Sequence, residues 1–186
     1  MRAAVVAALL FLAAPSIARA QNGQVWTTPD AAISLTLPAG WTNVDVGGPG
    51  TLLMITPATF GSDDLRVCSL REQAARPGGP ALRQDELNLI LDRWSQDWLS
   101  ARNFDTLHGH SSDTLSGVHV FSSDAERGIG ERAERDLQRA FNLANSESGV
   151  IYLLTCRVQT VTSTEERLEE LRAFLASLAI STGTTP

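Results

Sequence analysis

The first twenty residues differ in kind from everything that follows, and they set the conditions under which the rest must fold. Arg2 places a positive charge near the amino terminus. Residues 3–14 then read AAVVAALLFLAA, without a charge or a polar side chain. Pro15 breaks the run, and Ala18-Arg19-Ala20 supplies a small-x-small pattern. This is the three-part layout of a secretory signal, with the cut expected after Ala20 and Gln21 left first. The rival reading, an uncleaved anchor, would need about 20 apolar residues to cross a hydrocarbon core of roughly 30 Å. No Cys stands just after the apolar run and a single Arg precedes it, which argues against a lipoprotein anchor or a twin-Arg signal.

Export fixes the chemistry that the remaining residues 21–186 can use. The whole chain carries a formal charge of −6. Loss of Arg2 and Arg19 makes it two units more negative. A net anion of this size has no bulk attraction to nucleic acid or to anionic lipid. The sequence contains no Lys, which removes Schiff-base and lysine-nucleophile chemistry. Its two cysteines are Cys68 and Cys156. In an oxidising compartment two such residues pair by default, closing a long loop worth on the order of 4 kcal/mol. The alternatives are two free buried thiols or a redox pair, and the second lacks a C-x-x-C motif.

Periodicity sketches the elements. Residues 32–37 alternate apolar and polar as a half-buried strand does, and 52–57 and 65–72 read as two more. A helix is expected over 81–102, where Leu87, Leu91, Trp94 and Trp98 recur at spacings of 4, 3 and 4. Strands are expected at 106–110 and 117–124, with Ser111-Ser112-Asp113 as the turn between them. Residues 132–144 are ambiguous. Their composition favours helix, while Leu137, Arg139, Phe141 and Leu143 alternate as a strand does. A hairpin with the apolar strand at 150–158 is the more economical reading. A last helix spans 164–178, opened by Ser163-x-x-Glu166 and burying Leu168, Leu171, Leu175 and Leu178. The result is an α+β fold, with a central antiparallel sheet of about five to seven strands flanked by a long middle helix and a C-terminal helix.

Two short stretches resemble a known family. The strand ending Leu37-Pro38-Ala39-Gly40-Trp41 resembles the "LP-x-GW" opening of PsbP-like domains. The ending is similar too: residues 150–155 hold YLLT, and a helix closes on Leu175-Ala176-Ser177-Leu178. That family has an α/β/α sandwich around an antiparallel sheet. It includes extrinsic photosystem subunits, Ran-binding Mog proteins and small exported bacterial proteins. The resemblance implies one domain over 21–180, after the signal at 1–20 and before a loose tail at 181–186. It brings no catalytic residues, since such domains are mostly binding or assembly modules. The Cys68/Cys156 pair departs from a simple match.

Candidate chemistry is sparse. His108 and His110 lie at i and i+2, which puts both rings on one face of a strand. His119 from the neighbouring strand and Asp113 from the turn complete a set that would suit zinc or copper. The plainer reading is three surface histidines at a sheet edge. No G-x-S-x-G elbow exists, so Ser/His/Asp catalysis has no positioned nucleophile. The carboxylate pairs Asp63-Asp64, Glu165-Glu166 and Glu169-Glu170 read as solvated charge. Gly47, Gly48 and Gly50 surround Pro49 without a following Lys, so they make a turn and not a phosphate loop. Trp94 and Trp98 could line a ligand pocket, although helical spacing with Leu87 and Leu91 more often means core. Trp26 and Trp41 are expected near the sheet's edge. Arg132, Arg135 and Arg139 are interleaved with Glu131, Glu134 and Asp136. As a strand, Arg135 and Arg139 would share one face with Glu131.

The sequence therefore points to an exported, non-enzymatic domain, periplasmic or secreted, without a cofactor and without a membrane anchor once the signal is removed. It would bind a protein partner of the cell envelope or assist envelope assembly. The alternative is a small-ligand or metal-binding protein, using a pocket near Trp94 and Trp98 or the His108/His110 pair. A concave pocket with convergent polar groups would favour the ligand. A flat surface with one apolar patch would favour the partner.

Overall fold

The computed structural model describes residues 23–45, 48–58, 65–74, 82–101, 104–129, 132–144, 150–160 and 165–182. The expected signal at 1–20, Gly47, the Asp63–Asp64 pair, Glu131 and Ser163 lie outside them. Among the described residues, ten strands and two helices follow in the order β1 (Val25–Thr27), β2 (Ile33–Thr36), β3 (Trp41–Asn43), β4 (Thr51–Pro57), β5 (Arg66–Ala74), α1 (Gln84–Ala101), β6 (Thr106–Leu115), β7 (Val118–Ile129), β8 (Arg132–Asn142), β9 (Val150–Thr160), α2 (Glu165–Ala176) and β10 (Ala179–Ile180).

Seven strands make one antiparallel sheet in the order β3-β4-β5-β9-β8-β7-β6, and β1, β2 and β10 make a second, small one. The fold is α+β, as the element pattern implies. In the large sheet every neighbouring pair is consecutive along the chain except β5 and β9. That pair is a seam between the three strands before α1 and the four after it. α1 itself carries the chain across one face of the sheet to the far edge, at β6.

The two faces are covered differently. Leu91 and Trp98 of α1 pack on Phe121, Ala140 and Ile151. On the other face Leu168, Leu171, Phe174 and Leu175 of α2 join Leu137, Phe141, Leu154 and residues of the small sheet. β9 therefore reads as an almost continuous apolar run, because it lies inside the sheet with cover on both sides. β8 settles the ambiguous stretch. It pairs with β7 over Arg132–Ile129 through Phe141–Val120, and with β9 along its other edge. Two ladders of backbone hydrogen bonds override a local preference for helix.

One expected turn is corrected. Ser111, Ser112 and Asp113 lie inside β6, which runs to Leu115. The reversal occurs at Ser116 and Gly117, both with positive φ (50° and 82°). A two-residue hairpin loop needs that left-handed backbone, which Gly adopts without strain. The polar SSD stretch is tolerated inside a strand because β6 is an edge and its side chains are exposed. At the other end of the chain, Ser181 donates its backbone N–H to the Ala32 carbonyl at 2.9 Å.

Cys68 and Cys156 face one another directly across the β5–β9 seam and form a disulfide, with Cα atoms 4.1 Å apart. Both are fully buried. The LP-x-GW segment anchors the opposite edge. Gly40 takes φ 76°, and Trp41 then donates its indole Nε1–H to Glu170 of α2 at 3.1 Å. Arg66 binds the same carboxylate and lies 5.7 Å from the Trp41 ring centroid.

Candidate functional site

β8 turns alternate side chains to the two faces. Ala140 and Asn142 face α1, while Arg135, Leu137, Arg139 and Phe141 face α2. Arg139 is thus a charged residue within an otherwise buried stripe. Its direct neighbour on β7 is Ser122, and the neighbour of Ser122 on β6 is Ser111. Cross-strand partners share a face, so Ser111, Ser122 and Arg139 form one row across three strands.

α2 does not extend fully over this end of the sheet. An open cleft of about 440 Å³ remains between the β6–β8 surface and the helix. Ser111, Asp113, Ser122 and Arg139 line its polar side, and Leu137 and Leu175 its apolar side. Its volume falls in the range of about 300–1,000 Å³ that small-molecule sites occupy.

Charges around the cleft are mostly matched. Arg135 grips Asp124 with two nitrogens, one at 2.9 Å. Arg172 of α2 holds Glu165, reaches Glu169 at 2.7 Å and approaches Asp124 at 3.5 Å. These carboxylates raise its pKa, the Glu165 hydrogen bond most. Arg139 differs. Among the described residues no hydrogen bond or ion pair engages its guanidinium. Burial lowers its pKa and the charge of Asp113 partly opposes that. Beside it, the Ser122 hydroxyl oxygen is buried without a hydrogen-bond partner.

Of the expected site residues, His110 and Asp113 border the cleft, and the others are placed elsewhere and apart. Trp94 and Trp98 pack under α1, on the face away from the cleft. Trp98 is 5.6 Å from the Phe121 ring and 4.9 Å from Phe104, and Trp94 is 6.3 Å from Phe121. They help to fill a core. The premise that His108 and His110 share a face does not hold. A bulge between Leu107 and Gly109 inserts one residue and breaks the two-residue period. His108 turns to Glu126, with Nε2 to Oε2 at 3.2 Å, whereas His110 lies 6.4 Å from the Phe121 ring on the other face. His119 sits against α1, with Nδ1 3.2 Å from Asp92 Oδ1. Among the described residues no group of three metal-binding side chains comes together. Arg135 and Arg139 do share a face, but Arg135 pairs with Asp124 of β7. Glu134 and Asp136 project to the other face, where they bind Arg127 and Arg157.

The sequence carries one signal for this cleft. Once residues 132–142 form a strand, Arg139 falls between Leu137 and Phe141 on the buried side, where an unpaired cation is unexpected.

No family model matches the chain, and no curated protein matches it in sequence. Its fold is nevertheless shared by solved structures. The cyanobacterial PsbP (CyanoP) of Synechocystis sp. has 16% identity and a TM-score of 0.50, with 85% of this chain and 92% of that one covered. LpqN of Mycobacterium tuberculosis, described as involved in cell envelope biogenesis, has 11% identity and a TM-score of 0.55, with 85% and 90% covered. A variant of the protein Mog1 has 7% identity and a TM-score of 0.52, with 88% and 98% covered. At such identities the likeness concerns the fold, and that fold is the PsbP/Mog1-like one.

Proposed function

We propose that this PsbP/Mog1-like chain is an exported, non-enzymatic binding module whose ligand enters the cleft between β6–β8 and α2. The observation that carries this reading is a concave surface where Arg139, Ser111 and Ser122 converge beside Leu137 and Leu175. A few placed polar groups against an apolar wall is how small-molecule sites fix a ligand's orientation. Export is supported by the amino-terminal signal pattern, by the paired cysteines and by the likeness in fold to LpqN, described as involved in cell envelope biogenesis. The protein-partner reading keeps one specific support. β6 is an edge strand of ten residues, and a partner's strand could add to its outer side.

Isotope-labelled protein lacking residues 1–20, titrated with the dialysable and the retained fractions of an envelope extract, tests the two readings. The dialysable fraction is expected to shift the amide resonances of Ser111, Ser122 and Leu137, while those of Leu89 and Arg93 on the outer side of α1 stay fixed. Broadening centred on β6 with the retained fraction alone would instead identify a protein partner. A cleft undisturbed by either fraction would end both.

A further inference from the structure

We infer that the Arg139 end of the cleft is a seat for a single carboxylate group, carried by a small ligand with a short aliphatic part. This rests on the binding reading above and names the ligand's class. Three observations support it. The Arg139 guanidinium has no ion pair or hydrogen bond among the described residues, although it is half buried. A planar fork of donors matches a carboxylate with two parallel hydrogen bonds. The Ser122 hydroxyl is buried, without a partner, in the next position of the same row, and Ser111 follows it. Both can donate to the same anion.

The surroundings select its charge and its shape. Asp113 faces Arg139 electrostatically, while Asp124, Glu165 and Glu169 stand around Arg172. Among the side chains lining the cleft, two carboxylates (Asp113 and Asp124) stand beside two guanidiniums (Arg139 and Arg172). A phosphate dianion would meet repulsion that a monoanion largely avoids. Leu137 and Leu175 provide the wall against which an aliphatic segment can lie. Asp113 acts as a competitor. It shares the field of Arg139 and repels the incoming carboxylate, so its removal strengthens binding.

The test is a nuclear magnetic resonance titration of protein lacking residues 1–20 with four probes: butyrate, butyramide, dialanine with a free carboxyl terminus, and dialanine amide. Butyrate or free dialanine is expected to shift the Ser111, Ser122 and Arg139 signals, and the matching amides are not. A stronger response to butyrate points to a free acid, and a stronger response to dialanine to a peptide end. Arg139→Gln loses about tenfold in affinity or more, as expected for hydrogen bonds to a charged group. Arg139→Lys keeps the charge without the fork and falls between. Asp113→Asn binds more tightly than the parent. Unchanged Leu89 and Arg93 signals show that each variant is folded. Equal shifts with acid and amide forms overturn the carboxylate assignment and leave the cleft as a binding site. Affinity indifferent to Arg139→Gln, or no shift with any probe, overturns it as well, while the extract titration judges the broader reading independently.

Discussion

At the scale of single residues the most accessible probe is Tyr152, the one tyrosine in the chain. It is stacked on Phe141, with ring centroids 5.4 Å apart. Burial, with the nearby charges of Glu72 and Asp30, pushes its pKa up to about 12. The folded state therefore holds this proton more tightly than the unfolded chain does. Its contribution to stability is complete below the unfolded value of about 10 and is lost as pH rises toward about 12. Tyrosinate absorbance is expected to rise only in that upper window; a native midpoint near 10 would contradict the burial. Trp41 offers a second test. Trp41→Phe keeps the ring but removes the hydrogen bond to Glu170, and a loss of about 1 kcal/mol in denaturant unfolding is expected. The sequence marked Trp41 through its LP-x-GW motif, yet its partner Glu170 was legible only as surface charge. Such a pairing joins β3 to α2 across most of the chain, and no local pattern encodes it. Arg139 was visible as one of three arginines. Its isolation depends on which acids the neighbouring strands present, which pairing alone decides.

At the scale of elements, local pattern succeeded where one signal dominated and faltered where two competed. α1 and α2 lie within the expected spans, because a 3.6-residue apolar period extends over several turns in each. α2 also buries Phe174, which the leucine repeat had hidden. The β6–β7 hairpin shows the opposite. Ser-Ser-Asp and Ser-Gly both carry turn chemistry, and only the second has a glycine for the left-handed position. Gly117→Ala is expected to destabilise the hairpin by about 1 kcal/mol, measured by chemical denaturation. The bulge at 107–109 was invisible in composition, yet it decides on which side of the sheet His108 falls. A zinc titration by calorimetry checks the consequence. Micromolar zinc is expected to give no heat traceable to His108 and His110 acting together, and a heat lost in both single alanine variants would contradict the geometry.

At the scale of the whole molecule, the α+β class and the sandwich of two helices around a sheet could be read in advance. The small β1-β2-β10 sheet could not. Its strands are two to four residues long, and they join the two ends of the domain. The β5–β9 seam was legible only through its cysteines, since nothing local in either strand names its partner. Replacing both cysteines, as Cys68→Ala with Cys156→Ala, is expected to lower stability by about 2–5 kcal/mol in denaturant unfolding. Reducing the parent should lower it similarly, with no further loss in the double variant. The same bond has another effect, on the integrity of the chain as an object. Residues 68–156 form a closed covalent ring that holds α1, β6, β7, β8 and the sheet side of the cleft. A protease that cuts one peptide bond anywhere within that ring opens the chain without dividing it. The nicked protein keeps its mass apart from one added water, and its two pieces separate only when the disulfide is reduced.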